Sequence, residues 1–200
     1  MKHSPISRQK KRGFTVVELL MALAIFAISA TGVLALQVVS SRTNTHAKDL
    51  ATATQLARSW QDKLAMDALL WGGPNNWPIT QTEWIQLVNV QDNAWLLPAN
   101  DTAPVPTFGP AADARGAFVD GTDPTVVYFC THIRLSRLFA TPGAQLLRSE
   151  VRVFWPKGAE SWSDGAPYCD PAANVLDIGA ATTEFNFVYH TTTLRETPAF

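Results

Sequence analysis

One acidic side chain lies where a charge is costly. Residues 19–39 read LLMALAIFAISATGVLALQVV and contain no Asp, Glu, Lys or Arg, and Glu18 immediately precedes them, four positions after Phe14. A charged side chain in a membrane segment costs about 2.5–3.5 kcal/mol at the bilayer centre and less near the interface. The carboxylate of Glu18 is therefore a candidate for function, since an ion pair with a cation in the same apolar surroundings offsets that cost.

No other residue pattern predicts catalysis or a cofactor. His132 and His190 fall on predicted strands and could approach each other or Cys130, but they show no zinc-site spacing. Asp120 and Asp123 could bind calcium, but the segment DGTDP does not match an EF-hand loop. The sequence also contains no phosphate-binding glycine loop and no serine nucleophile motif. We therefore expect a protein that is not an enzyme and binds neither a metal nor a cofactor.

Basic and acidic side chains are unevenly distributed along the chain. The 200 residues carry 16 basic and 17 acidic side chains, a formal net charge of −1. Five of the bases lie in the first 13 residues, which contain no acid, so the remaining 187 residues hold 11 bases against 17 acids. A basic leader before a mildly acidic body argues against nucleic-acid binding by a general electrostatic field and is typical of a signal that sets membrane orientation.

The apolar segment is long enough to cross a membrane. From Phe14 to Val39 it spans 26 residues, or about 39 Å of α-helix, which exceeds the ~30 Å hydrocarbon core. The preceding bases would keep the N-terminus in the cytoplasm and send the C-terminal body across. A cleaved secretory signal peptide is the alternative, and it would give a mature N-terminus beyond Ala30. Glu18 favours a retained helix, because a discarded peptide has no use for a carboxylate.

The segment KRGFTVVELL at residues 11–20 resembles the cleavage and methylation site of type IV prepilins and type II secretion pseudopilins. The shared features are basic residues, a glycine, a phenylalanine, a glutamate at the fifth position after the cut, and an unbroken apolar run. The resemblance implies that prepilin peptidase cuts after Gly13, that Phe14 becomes the N-methylated first residue, and that the helix is retained. The later part of the run lacks the proline usual in major pilins, so it is more similar to minor pilins of the PilV kind or to the I-type pseudopilin.

The resemblance also implies a role in assembly. A minor pilin would be a single-pass inner-membrane protein with a periplasmic C-terminal domain, and would then join a priming complex at the tip of a type IV pilus that serves motility and adhesion. Glu18 would pair with the terminal amine of a neighbouring subunit and set the registry between them, and this subunit would sit beneath another. The implied partners are other minor pilins, the major pilin, prepilin peptidase, the platform protein and a large tip adhesin.

Two other functions remain open at this point. A minor pseudopilin of a type II secretion system would carry the same N-terminal segment and apolar helix, and its function would be protein export. A membrane-tethered module could bind a ligand or DNA through the tryptophan-rich loop, although the acidic body weighs against DNA.

The helical pattern continues beyond the apolar run. Its apolar positions recur every three or four residues, at Leu50, Ala53, Ala57, Trp60, Leu64, Ala68 and Trp71. Its polar residues fall mostly on the other side, among them Asp49, Gln61 and Asp67. We predict one helix from about Phe14 to Trp71, ended by Gly72-Gly73-Pro74; two helices broken near residues 40–41 are the alternative.

Three segments of the C-terminal third predict strands: 126–135, 147–155 and 185–193. Their alternating apolar residues predict an antiparallel sheet with one buried face, and the amphipathic helix would cover that face. The expected fold is therefore α+β, the pilin fold that the resemblance also implies. Because Cys130 and Cys169 both lie on the translocated, oxidising side, we expect them to form a disulfide.

These patterns predict five segments. They are a cleaved leader at 1–13, a membrane and filament-core helix at 14–39, an amphipathic helix half at 40–74, a variable connection at 75–125, and an antiparallel sheet with the disulfide loop at 126–200.

Overall fold

The computed structural model describes residues 13–73, 77–101, 107–121, 123, 125–139, 141, 145–157, 169 and 185–197. The described residues belong to two compact units, one ending at Ala47 and one beginning at Lys48. The sequence Pro142-Gly143 predicts a hairpin turn between the first two predicted strands, and it lies outside the described residues. So does almost all of the loop between the second and third predicted strands.

One helix, α1, runs from Val16 to Leu70 over 55 residues, which confirms the single long helix and excludes a break near residues 40–41. It ends one residue before the predicted limit, and the chain then reverses at two glycines. Gly72 has φ +77°, a left-handed conformation that favours glycine. Its N–H donates to the Trp77 carbonyl (2.8 Å), and an added Cβ would collide with the Thr197 backbone. Another residue at position 72 would therefore strain this reversal.

Within the described residues, the sheet contains three long strands and two short ones. Their bounds are Trp95–Leu96 (β1), Ala111–Ala112 (β2), Phe129–Phe139 (β3), Leu146–Pro156 (β4) and Phe185–Arg195 (β5). All pairings are antiparallel, in the order β1-β3-β4-β5, with β2 also paired to β3. The predicted α+β fold, one long helix packed against a small antiparallel sheet, is confirmed. The long strands end beyond the predicted limits because pairing continues to Phe139 and Arg195. The predicted start of the first strand at residue 126 was wrong, since β3 begins at Phe129.

The main core lies between the second half of α1 and one face of the sheet. The predicted apolar stripe of the helix is confirmed from Ala53 onward: Trp60 and Leu64 are almost fully buried. Leu50 was expected on the same stripe, but it is 44% exposed. The sheet contributes these buried residues: Ala112, Phe129, Ile133, Leu135, Leu147, Val151, Val153, Trp155 and Leu194.

Three polar residues of α1 are buried, and their expected position on the solvent face was wrong. Asp67 accepts hydrogen bonds from the backbone N–H groups of residues 83, 84 and 85 at 2.8, 2.8 and 2.9 Å. Gln61 donates to the His190 carbonyl (3.1 Å), and Asp49 accepts from the Tyr128 hydroxyl (3.0 Å). A charge pattern does not distinguish a solvated side chain from one that satisfies backbone groups of a distant segment.

The prediction of a single buried sheet face was also wrong. On the other face, Cys130 and Phe154 form a second, smaller core with Phe185 and Cys169. The aromatic residues farther along β5 do not join it, since Phe187 is 42% and Tyr189 is 51% exposed. Period-two alternation gives the two faces of a strand but does not reveal that a distant loop residue covers one of them.

The structure joins Cys130 and Cys169 in a disulfide, with their Cα atoms 5.7 Å apart. It ties the start of β3 to a residue 39 positions later in the chain. We predict that the unfolded, unreduced protein shows no reactive thiol and that reduction releases two per chain. Thiol titration in denaturant, with and without prior reduction, measures this, and two thiols before reduction would contradict the bridge.

The contact between Asp49 and Tyr128 predicts a pH dependence at alkaline pH. Burial, the hydrogen bond to Asp49 and the charge of Asp49 together raise the pKa of Tyr128 to about 12. Because this pKa is raised on folding, the protonated hydroxyl stabilises the fold fully below the ordinary tyrosine pKa of about 10. This contribution is lost as the pH rises from there towards about 12.

An absorbance titration of tyrosine ionisation should therefore show a late phase belonging to Tyr128, among the three tyrosines of the chain. The Tyr128→Phe variant should lack this phase, and its unfolding free energy should fall less between neutral and alkaline pH. Tyr189→Phe is the control, because its exposed ring leaves the Asp49 contact intact. A late phase that disappears in the control instead would contradict the assignment.

Candidate processing and assembly site

The segment before α1 presents the predicted cleavage site in non-helical backbone. Gly13, Phe14 and Thr15 precede the first helical residue, Val16. All are exposed, and Phe14 is 89% exposed. Because a peptidase must reach both sides of the bond that it cuts, the 13–14 bond is accessible here, whereas a bond inside the helix would be held by the helical hydrogen bonds.

Glu18 closes the first turn of α1 in a capping box. Its Oε2 accepts hydrogen bonds from the Thr15 N–H (2.9 Å) and from the Thr15 hydroxyl (3.1 Å). The Glu18 N–H donates back to the Thr15 hydroxyl oxygen (3.3 Å). This reciprocal pattern satisfies backbone donors that a helix start otherwise leaves unpaired. Within the free chain, the carboxylate therefore has a local structural role.

Thr15 was not singled out from the sequence, although a signal was present. The order Thr15-Val16-Val17-Glu18, placed directly before an apolar run, is the sequence signature of a capping box. The charge of Glu18 and its place beside the apolar run do not by themselves indicate the hydrogen bonds to Thr15.

The capped carboxylate remains available to an outside cation. Both hydrogen bonds from Thr15 use Oε2, and Oε1 accepts none from the described part of the chain. The side chain is also exposed. An amine can therefore approach Oε1 without disrupting the capping box.

Among the described residues of its unit, nothing buries the first half of α1. Its most apolar stretch is long and apolar enough to cross a membrane, and none of it is buried. Large side chains such as Phe26, Ile28 and Leu36 are each more than 70% exposed. The helix therefore fits a membrane anchor, as in prepilins. By length and composition alone, a signal sequence would fit equally well.

The structure separates the histidines considered as zinc ligands. His132 is opposite Arg152 and His190 is opposite Val151, which places the two histidines on different sheet faces. His132 Nδ1 lies 3.0 Å from the Arg152 guanidinium, and Cys130 is in the disulfide.

Asp123, one of the two aspartates considered for calcium, lies in a tight turn. Its carboxylate accepts hydrogen bonds from the Thr125 hydroxyl (2.6 Å) and N–H (3.0 Å), which lower the pKa of Asp123. Among the described residues, no three His, Cys, Asp or Glu side chains are grouped closely enough to hold a metal ion.

The predicted site residues therefore fall into two places. Gly13, Phe14 and Glu18 lie together at the start of α1, whereas the disulfide belongs to the unit that contains the sheet. Only the first place combines an exposed peptide bond, an apolar helix and a carboxylate.

Comparison with known proteins matches this segment to a described motif. Residues 8–34 match the family model described as the prokaryotic N-terminal methylation motif. No curated protein and no solved structure gave a match to the chain. The matched segment contains Gly13, Phe14, Thr15 and Glu18, and it is followed by the rest of the long apolar helix. The chain thus carries the methylation motif of prokaryotic prepilin-type proteins, and the match supports a type IV pilin-like or pseudopilin-like protein.

Proposed function

We propose that this chain is a minor pilin, a processed and N-methylated subunit of the complex that starts type IV pilus assembly at the tip. The observation that carries the proposal is the methylation motif at residues 8–34, together with a carboxylate capped at the start of an exposed apolar helix. Prepilin peptidase would cut after Gly13 and leave Phe14 as the methylated N-terminus.

Glu18 acts in this proposal as the registry group between subunits. Cleavage creates an ammonium group at Phe14, and in a filament the apolar helices pack together without intervening lipid. A carboxylate about 4 Å from a neighbour's amine is attracted by about 4 kcal/mol at an effective dielectric constant of 20. This attraction offsets the desolvation of both charges only when they meet, so that a subunit out of register is disfavoured.

The proposed location and partners follow from this role. The precursor spans the inner membrane once, with its basic leader in the cytoplasm and the sheet domain in the periplasm. The processed subunit joins other minor pilins and the major pilin through the platform protein, beneath a large tip adhesin. The disulfide between Cys130 and Cys169 is compatible with an oxidising periplasm.

Mass spectrometry of the mature N-terminus tests the proposal. The mature protein should begin at Phe14 and carry one additional methyl group, and cells without prepilin peptidase should retain the full precursor. A mature N-terminus beyond Ala30, or one that does not depend on the peptidase, would contradict it. A gene deletion then tests the pathway: loss of pili with normal protein secretion supports the minor pilin, and the reverse result supports a secretion pseudopilin instead.

A further inference from the structure

One strand of the sheet presents a row of exposed side chains on the face that does not pack against α1. Every second residue of β5 from position 187 belongs to this row, because alternate residues of a strand share a face. We call these five exposed residues the β5 row: Phe187, Tyr189, Thr191, Thr193 and Arg195. Eight residue steps of about 3.4 Å give the row a length of about 27 Å.

The aromatic end of the β5 row is held by other rings. The Tyr189 ring lies 5.2 Å from the Phe187 ring and 5.9 Å from the Trp95 ring, measured between centroids. The Trp95 ring also contacts the guanidinium groups of Arg134 (4.8 Å) and Arg152 (4.2 Å). Because these contacts restrict the rings before any ligand arrives, little conformational entropy is lost when a ligand packs against them.

Charged side chains on this face are mostly arginines. The strand register places these described residues there: Arg134, Arg148, Arg152, Arg195 and Glu150. The Glu150 carboxylate lies 2.7 Å from Arg134 and 3.3 Å from Arg148, so one negative charge faces both. Even without Arg152, which is buried, three arginines share one carboxylate. The described part of this face is therefore positive, whereas the chain beyond its leader holds 11 bases against 17 acids.

The order of side chains along the β5 row indicates the chemistry of a ligand. Exposed aromatic rings pack against the C–H face of a sugar, and threonine hydroxyls exchange hydrogen bonds with sugar hydroxyls. A guanidinium matches a carboxylate in a bidentate pair. The length of the row suits an extended polymer of several sugar units.

A single-stranded nucleic acid would also stack on the exposed rings. It carries a phosphate on every unit, however, and between Phe187 and Thr193 the row itself offers no cation to a phosphate. The acidic balance of the remaining chain also opposes a polymer of that charge density. A polysaccharide in which neutral sugars alternate with uronates places its carboxylates farther apart, which fits one arginine at the end of the row.

We propose that the β5 row binds an extended acidic polysaccharide in which neutral sugars alternate with uronates. Phe187 and Tyr189 pack against sugar rings, and the two threonines hydrogen-bond to sugar hydroxyls. Arg195 pairs with a uronate carboxylate. This binding goes beyond the assembly role proposed above and does not depend on Glu18.

Titration calorimetry of the full chain in a non-ionic detergent tests the proposal. The probe is a hyaluronate oligosaccharide, in which glucuronate alternates with N-acetylglucosamine. Its methyl ester, which lacks the negative charges, and an oligothymidine of similar length are the comparison ligands. Tyr189→Ala and Arg195→Ala are the test variants, and Trp77→Ala and Arg58→Ala are their matched controls away from the row. All four side chains are exposed, so the fold should tolerate the changes, and unchanged melting curves check this.

The expected result is hyaluronate binding that weakens about tenfold in each test variant and stays at the wild-type level in both controls. Binding should also weaken at high salt and with the methyl ester. No binding by the wild-type chain at millimolar hyaluronate would overturn the proposal. So would equal binding by all five proteins, since the basic leader would then be the binding segment. Tighter binding of oligothymidine, lost in the same two variants, would assign the row to nucleic acid instead.

Discussion

Replacing Asp67 by alanine is expected to lower the free energy of unfolding by about 3–5 kcal/mol, because three buried hydrogen bonds to a charged acceptor are lost together and each contributes about 1.5–3 kcal/mol. The carboxylate is 5% exposed and accepts from three consecutive backbone N–H groups of residues 83–85. Two of those donors belong to Trp84 and Ile85, which are also buried. Because water can replace part of the lost hydrogen bonding, the expected loss of unfolding free energy is smaller than the sum of the three hydrogen bonds.

Urea unfolding of the full chain in detergent, followed by tryptophan fluorescence, measures this effect. Asp62→Ala is the matched control, since Asp62 is an exposed aspartate on the same helix and a surface substitution of this kind changes stability by about 0.5 kcal/mol or less. Asp67→Asn should give an intermediate value, because the amide retains one acceptor oxygen. An unfolding midpoint for Asp67→Ala equal to that of Asp62→Ala would show that the hydrogen bonds to Asp67 do not stabilise the fold, and would contradict the prediction.

Asp67 also shows where sequence patterns stop being informative. The spacing of Ala53, Ala57, Trp60 and Leu64 predicted the buried helix stripe, because apolar side chains can only leave water by facing a core. The position of Asp67 on the helical wheel predicted solvent. Its burial depends on a loop whose N–H groups need an acceptor, and that need becomes visible only when the loop is in place.

The strands of the sheet were predictable for a related reason. The second, smaller core on the other face of the sheet was not. Alternation in β3 and β4 gave the antiparallel strands, since pairing and pleat follow from local patterns. The alternation within 185–193 places the aromatic residues Phe187 and Tyr189 on one face of β5, yet both are exposed. The outer face of β3 and β4 is covered at Phe154 by residues that include Cys169, a contact that arises from a distant part of the chain.

At the candidate site, the chemistry of Glu18 was predictable from the sequence, but its local geometry was not. A carboxylate next to an apolar run is costly unless it pairs with a cation, so the residue types alone indicate an ion pair. The capping box with Thr15 adds a second role, since the same side chain also completes the helix start. The two roles make different demands on the side chain: the cap needs an acceptor oxygen, and the subunit pairing needs the negative charge.

A set of three variants separates those roles. Glu18→Gln keeps an oxygen that can complete the capping box and removes the charge, whereas Glu18→Ala removes both. Thr15→Ala removes the hydroxyl that exchanges hydrogen bonds with Glu18 and keeps the charge. If registry depends on the ion pair, Glu18→Gln and Glu18→Ala should be equally defective, and Thr15→Ala should stay close to wild type.

The expected defect is a loss of about tenfold or more in partner subunits recovered with the mature protein, since each 1.4 kcal/mol of lost pairing corresponds to a factor of ten. Membrane insertion should be unchanged in all three variants, because the apolar run and the basic leader are intact. Quantitative mass spectrometry of crosslinked, affinity-purified complexes gives the recovery, and membrane fractionation gives the insertion. Recovery of partner subunits at the wild-type level for Glu18→Gln, combined with a defect for Thr15→Ala, would contradict the ion pair. Glu18 would then act only in helix capping, and its charge would not be needed for assembly.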